Sequence, residues 1–336
     1  MKSILYIGNK LQNKRSNVST IHTLGALLES ENFKVYYASS KANKVLRLLD
    51  MVFTFFKYKT KVDYVLIDTY STQNFYFALV ISQLCRLFKV KYLPNLNGGN
   101  LPMRLEKNPI LCSWIFKNAY INISPSRYLI DAFKDFGYKN VKYIPNTIVI
   151  ENYEFKKRNF NTIKLLWVRS FSKIYNPKLA IKVLKKLKDD NIDASLCMVG
   201  PDSDGSLSKV KKFAKKQKVA VNFTGKLSKK KWIKLSKEYN VFINTTNFDN
   251  APVSVIEAMA LGLPIVSTNV GGIPFLITNK KEGILVEQNN TEAMVNAIKS
   301  ISNNVELAKL LTINARKKVE LFDWQIIKKL WIEILK

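Results

Sequence analysis

Along this chain, short apolar runs rich in β-branched residues alternate with segments whose apolar positions recur at helical spacing. "SILYIG" precedes a helical stretch over Thr20–Ser30, "KVYYAS" one over Ala42–Lys57, and "DYVLID" one over Asn74–Phe88. Continuous strand runs, each followed by a helix, predict a parallel sheet covered on both faces. "VKYLPN", "AYINIS" and "VKYIPN" carry the pattern to about residue 146. The text then turns polar over 151–161 ("ENYEFKKRNFN"), which predicts a linker, and the alternation restarts with "IKLLWV", "ASLCMVG", "VAVNFTG", "NVFINT" and "PIVST". The fold class expected is α/β, with two Rossmann-like doubly wound domains, 1–150 and 162–318, facing a central cleft of the kind in which open parallel sheets bind ligands. The closing residues 319–336, with "FDWQIIKKLWIEILK", are expected to form an aromatic-rich helix packing back on the first domain.

Composition narrows the partners. A chain of 336 residues suits two domains, and 47% hydrophobic content supports a core in each. The 54 Lys and Arg against 25 Asp and Glu leave +29, a charge that attracts nucleotide phosphates, nucleic acid or an anionic membrane surface alike. "KVKKFAKKQK" and "KLSKKKWIKLSK" carry few aromatics and match no RRM, KH or helix-turn-helix pattern, which favours solvated helix faces over nucleic acid. Cys85, Cys112 and Cys197 stand singly, so neither a disulfide framework nor a zinc site is expected, and a reducing cytoplasmic setting follows. "MKSILYIGNK" lacks the apolar core of a signal peptide. The run Phe75–Leu87 is interrupted by Arg86 and falls short of the ~20 residues that span a bilayer.

One stretch carries chemistry: "FDNAPVSVIEAMALGLPIVSTNVGGIP", Phe248 to Pro274. Pro252 suits a first helical turn, Gly262 a left-handed stop, and Pro264 blocks continuation, so a helix is predicted over 252–261. Asp249 lies just ahead of its open amides, and Glu257 lies about one turn inside. Helix N-termini hold phosphates, and carboxylates accept hydrogen bonds from sugar hydroxyls. A diphosphate on those amides would have one carboxylate near each flanking sugar. The local alternative is a capping box, Ser254-x-x-Glu257, with no ligand.

The stretch resembles the glutamate-x7-glutamate signature of glycosyltransferase family 4, retaining enzymes of the GT-B fold that use nucleotide-sugar donors. The resemblance implies that Glu257 takes the donor ribose and Asp249 the transferred sugar, with Asn250 and the amides of Ala251, Val253 and Ser254 at the diphosphate. "LLWVRSFSKIYNPKLAIKVL" resembles the family's strand and arginine loop, placing Arg169 on the diphosphate with Lys173 or Lys178 in support. "CMVGPDSDG" and "VNFTGKLSKKKW" resemble the next two strand-end loops, where Gly200 and Gly225 would admit the base. "NISPSRYLIDAF" and "YIPNTI" are similar to the end of the family's first domain, and "IGNKLQNKRSNVSTIHTLGALL" occupies its glycine loop and first helix, placing Gly8 with the donor. Within "LPNLNGGNLP", Asn97 stands where relatives commonly carry histidine beside the reacting sugar. The implied catalytic set is Asp249, Arg169 and Asn97. The implied activity is metal-independent transfer to a glycan or lipid-linked glycan, in cell-surface polysaccharide or lipopolysaccharide biosynthesis.

The departures from the family bear on chemistry. Asp249 replaces the usual first glutamate and reaches one methylene less far; the family's lysine falls at or near Tyr175. The Asn97 amide donates hydrogen bonds but does not titrate, which excludes proton transfer there. A chain that keeps the fold but has lost the chemistry is the alternative these departures leave open. "DSD", Asp202 to Asp204, imitates a metal-binding DxD, but its polar surroundings after Gly200 and Pro201 read as a solvated turn. His22, the single histidine, is expected to be structural.

Residues 43–61, "NKVLRLLDMVFTFFKYKTK", combine Val45, Leu48, Leu49, Val52, Phe53, Phe55 and Phe56 with Lys44, Arg47, Lys57, Lys59 and Lys61. A broad apolar helix face is commonly core. With the basic flanks, and by resemblance to relatives that dock their N-terminal domain, it is instead expected to bind an anionic membrane peripherally, on its cytoplasmic side.

Overall fold

A computed structural model of the chain describes residues 1–11 and 18–336, so part of the loop after the first strand, 12–17, lies outside the described residues. Two compact units result. The first holds the described residues up to Thr147 together with Trp324–Lys336, and the second holds Ile148–Asp323.

The first unit runs β1 (Ser3–Ile7), α1 (Thr20–Ser30), β2 (Lys34–Ala38), α2 (Lys44–Tyr58), β3 (Tyr64–Thr69), α3 (Asn74–Leu87), β4 (Lys91–Leu96), α4 (Leu101–Lys107), α5 (Pro109–Phe116), β5 (Asn122–Ser124), α6 (Arg127–Asp135) and β6 (Val141–Tyr143). The strands form one parallel sheet in the order β2-β1-β3-β4-β5-β6. Helices on both faces explain why β1 and β3 read as unbroken apolar runs: Ile4 to Ile7 and Tyr64 to Ile67 are all buried. Leu5, Ile7, Val65 and Ile67 pack with Met51, Phe55 and Phe75.

The amphipathic α2 is capped by Asn43, whose side chain accepts from the amides of Val45 (2.9 Å) and Leu46 (3.2 Å). It divides its apolar residues between two fates. Met51 and Phe55 are buried under the sheet, while Val45, Leu49 and Phe53 are 68%, 59% and 69% exposed. Arg47, expected among the cationic flanks, is buried instead and donates to Lys41 O, Ala42 O and Asn9 Oδ1 at 2.7–2.9 Å, tying the helix start to the loops beside it.

The second unit runs β7 (Ile163–Val168), α7 (Pro177–Asp189), β8 (Ala194–Val199), α8 (Ser206–Lys216), β9 (Asn222–Gly225), α9 (Lys229–Ser236), β10 (Val241–Asn244), α10 (Val253–Ala260), β11 (Ile265–Thr268), α11 (Ile273–Leu276), β12 (Ile284–Val286), α12 (Thr291–Ser302) and α13 (Val305–Glu320). Its parallel sheet has the order β12-β11-β10-β7-β8-β9. Alternation along β7 feeds two cores: Leu165 and Trp167 pack with Leu184 and Met198, whereas Leu166 packs with Phe242, Ile256 and Met259 on the other face. Residues 151–161, expected as a linker, are built into this unit. Tyr153 is buried, and Arg158 donates to Ser236 O (2.8 Å), Tyr239 O (3.0 Å) and Leu261 O (2.7 Å).

The closing helix α14 (Trp324–Leu335) belongs to the first unit. The indole of Trp324 and the ammonium of Lys328 both donate to Glu31 Oε1 at 3.1 Å, and Lys142 pairs with Glu333 at 2.9 Å. Trp324, Ile327, Trp331 and Ile334 are buried. Among the described residues no helix is long and apolar enough to cross a membrane.

Candidate functional site

Each sheet changes direction once. In the second unit β7 leads to β8 and β9 on one side, and β10 then begins the other half, so the carboxyl ends of β7 and β10 flank a topological switch point, where open α/β sheets bind ligands. Arg169 directly follows β7, and Asp249 lies in the loop that follows β10. The sheet brings them into direct contact: Arg169 Nη2 pairs with Asp249 Oδ2, each side chain only 13% exposed. The ring of Tyr175 covers the guanidinium at 4.2 Å, and burial pulls the Arg169 pKa below its usual value.

The loop from Asp249 into α10 is held from beneath by the paired glycines. Gly272 donates its amide to Asp249 O at 2.9 Å, and a Cβ on Gly272 would stand 1.9 Å from Asn250 O. Only glycine permits that approach. Asp249 Oδ1 also accepts from the amide of buried Asn250 at 3.0 Å. Pro252 is the N-cap of α10 rather than part of its first turn, with φ −68° and ψ 115°. Ala251, Val253 and Ser254 are half-buried at this helix start; the Val255 and Ile256 amides donate to Pro252 O at 3.1 and 3.2 Å, while those of Val253 and Ser254 have no acceptor within the helix. Gly262, at φ +71°, supplies the expected left-handed stop.

Glu257 is 4% exposed, and its carboxylate is spoken for by protein groups. Tyr153 Oη donates to Glu257 Oε1 at 2.8 Å, and Lys229, the first residue of α9, pairs with the same oxygen. The capping box does not form: the cap position belongs to Pro252, and the buried Ser254 Oγ finds no hydrogen-bond partner.

The remaining expected residues fall as follows. Gly200 has a Cβ position 1.7 Å from Arg169 O, so its missing side chain lets β8 end against the arginine loop. Gly225, at φ +70°, faces open space. Lys173 is exposed and gives its amide to Asp204 Oδ2 at 3.0 Å. Lys178 extends over the ring of Phe213 on α8 at 5.5 Å. The "DSD" carboxylates serve local backbone: Asp204 Oδ1 accepts from the Ser206 amide (3.0 Å) and Asp202 Oδ1 from that of Leu207 (3.3 Å). No group of three or more His, Cys, Asp or Glu suited to a metal ion occurs among the described residues. The three cysteines are buried and unbridged.

Gly8 and Asn97 belong to the first unit, where both meet a residue that the sequence reading passed over. Asp68, in β3, accepts at Oδ1 from Tyr6 Oη (3.0 Å), Asn95 Nδ2 (3.2 Å) and Asn97 Nδ2 (2.8 Å), while a Cβ on Gly8 would stand 2.7 Å from its Oδ2. The signal was present: Asp68 is the lone charge within the apolar run "YVLIDT". Tyr153 and Lys229 carried no such mark.

Two parallel six-stranded sheets, each with helices on both faces, define the class as a two-unit α/β protein with Rossmann-like units. The chain belongs to the family described as glycosyl transferases group 1, whose model matches residues 149–318. It is 36% identical over 97 residues to an uncharacterised glycosyltransferase of Haemophilus influenzae, covering 29% of this chain and 28% of that one. It is 26% identical over 83 residues to an Escherichia coli UDP-Gal:α-D-GlcNAc-diphosphoundecaprenol α-1,3-galactosyltransferase, covering 25% and 21%. These matches span under a third of either relative's length. In fold it is similar to Anabaena HepE, solved in complex with UDP-glucose, with a TM-score of 0.81 and 15% identity over 100% of this chain and 99% of that one.

Proposed function

We propose that this chain is a retaining glycosyltransferase that moves a hexose from a nucleoside-diphosphate sugar to a hydroxyl of a glycan or lipid-linked glycan, without a metal. The observation that carries this reading is the Arg169–Asp249 pair at the switch point, with Glu257 buried across the start of α10. A donor would set its diphosphate on the amides of Val253 and Ser254, its ribose hydroxyls on Glu257 and its sugar on Asp249. The diphosphate would compete with Asp249 for Arg169, whose fixed charge then stabilises the leaving group as the bond from the sugar C1 to phosphate oxygen breaks. The acceptor oxygen forms the new bond to C1 on the same face and passes its proton to the phosphate oxygen that leaves. Asn97, an amide, holds a hydroxyl and moves no proton. HepE, similar in fold, is described with UDP-glucose, and the E. coli relative is named for a diphosphoundecaprenol acceptor; both favour a uridine donor and a lipid-linked acceptor in surface polysaccharide synthesis.

Such an acceptor lies at a cytoplasmic membrane face, and the exposed Val45, Leu49 and Phe53 on α2 would enter the lipid there, with Lys44, Lys57, Lys59 and Lys61 among the headgroups.

The test is a panel of UDP-, GDP- and ADP-sugars read both by thermal shift and by nucleotide release. Release from one donor, stimulated by extract of the source cells, is the expected result. Binding without release would leave a donor-binding protein that has lost its chemistry, and neither binding nor release would end the reading.

A further inference from the structure

The first unit has its own switch point. Its order β2-β1-β3-β4-β5-β6 reverses between β1 and β3, and the register sets Ile7 opposite Ile67. Gly8 and Asp68, one residue further along each strand, therefore flank the crevice at the carboxyl ends of both. Asp68 is 4% exposed, and its two oxygens have different surroundings. Oδ1 is saturated by Tyr6, Asn95 and Asn97, whereas Oδ2 has no hydrogen-bond partner. The carboxyl lines a cavity with room for about one water-sized group, about 10 Å³, together with Gly8, Asn9, Met51, Tyr70, Asn74 and Phe77. A buried carboxylate oxygen left bare is costly and calls for an explanation. Glycine at position 8 is what allows the oxygen to stand there, because any Cβ would lie 2.7 Å from it.

The chemistry of the cavity selects its ligand. A carboxyl repels phosphate and carboxylate, a single one does not make a metal site, and the volume admits one hydroxyl rather than a hydrated ion. Met51 and Phe77 offer an apolar wall to carbon-bound hydrogen, while Asn9 and Asn74 add polar contacts. We infer that Asp68 Oδ2 holds a hydroxyl of the acceptor sugar, and that Asp68 Oδ1 fixes the amide of Asn97 beside it. Asp68 thereby becomes the residue that binds and orients the acceptor in the first unit. The inference rests on the transferase reading above. Burial raises the Asp68 pKa to about 7 against the opposing hydrogen bonds of the Tyr6, Asn95 and Asn97 side chains, so near neutral pH the group can give or take the proton of that hydrogen bond.

Asp68→Asn separates the two oxygens. It keeps one carbonyl oxygen for the three donors and puts an NH2 where the hydroxyl acceptor stood. Transfer of labelled sugar would be measured with extract of source cells lacking the gene, which supplies the natural acceptor, alongside calorimetric binding of UDP. The expected result is an apparent KM for the acceptor raised at least about tenfold with UDP affinity within about twofold of wild type. Asn74→Leu, at the half-buried rim, is expected to raise the same KM and serves if Asp68→Asn folds poorly. Normal wild-type transfer with acceptor KM unchanged in both variants would overturn this inference alone. A wild-type protein that transfers no label would overturn the transferase reading and this inference with it.

Discussion

The phenol of Tyr153 donates to Glu257 Oε1 at 2.8 Å, joining residues 104 positions apart in the chain and orienting the carboxylate. Tyr153 is 3% exposed, so its hydroxyl has little water to turn to, and the bond holds the Glu257 carboxylate in one orientation. Tyr153→Phe should weaken nucleoside-diphosphate binding by about tenfold, or about 1.4 kcal/mol, and Glu257→Ala by more. Calorimetric titration of UDP, GDP and ADP reads this directly. Unchanged affinity in both variants, with a lowered melting temperature, would make the pair purely structural.

Arg169 and Asp249 neutralise one another, and removing one strands the other. Arg169→Ala should cost about 3 kcal/mol in urea unfolding, the low end for a broken buried pair because each side chain keeps some exposure. Adding Asp249→Ala should restore part of that loss. In turnover the arginine variant should lose more in kcat than in donor affinity if, as proposed, charge grows on a leaving diphosphate. Equal losses in both would reduce Arg169 to a binding residue.

Asp249→Glu would install the first acid of the glutamate-x7-glutamate signature that this stretch resembles. The aspartate already touches the guanidinium beneath Tyr175, so one more methylene must displace one of them. A fall of about tenfold or more in kcat/KM is expected. Wild-type activity would show that the shorter acid is not what the site selects.

Asp68 makes stability depend on pH. Its folded pKa, about 7, lies above the ordinary 3.8, so the folded state holds a proton that the unfolded chain releases first. Its stabilising share is whole below about pH 4, declines between there and about pH 7, and is absent above. Against Asp68→Asn, which carries no charge, wild type should therefore lose ground steadily over that window by up to roughly 4 kcal/mol. Parallel pH curves for the two proteins, from denaturant titrations, would contradict it.

The exposed face of α2 yields a membrane prediction. Leu49→Ser with Phe53→Ser, both more than half exposed, should leave the melting temperature unchanged and abolish binding to vesicles containing anionic lipid. Flotation with anionic and neutral vesicles, at low and high salt, measures it. Equal binding to both vesicle types, or none to either, would favour a soluble acceptor.

Most strands were legible because a parallel strand covered on both faces leaves a continuous apolar run, and α10 because Pro252 and Gly262 punctuate it. The strand β12 escaped notice: three residues, two of them half-buried, carry too little pattern. Arg47 looked like a cationic flank because periodicity cannot see the carbonyls of Lys41 and Ala42, which receive it only after the chain turns back. Among the candidate site residues, those on one continuous stretch stand out together in the sequence. Tyr153, Lys229 and Asp68 reach their partners through tertiary packing, and no local spacing announces such meetings.

The first unit is completed by α14, which follows the whole of the second unit in the chain. On the ribosome, Ile148–Asp323 is therefore available in full while the first unit still lacks the helix carrying Trp324, Ile327, Trp331 and Ile334. The usual order, in which the N-terminal domain finishes first, is reversed. The surface that α14 covers stays bare until that helix is made, so a nascent chain stalled before Trp324 would carry a finished second unit and an unsealed first one open to chaperones.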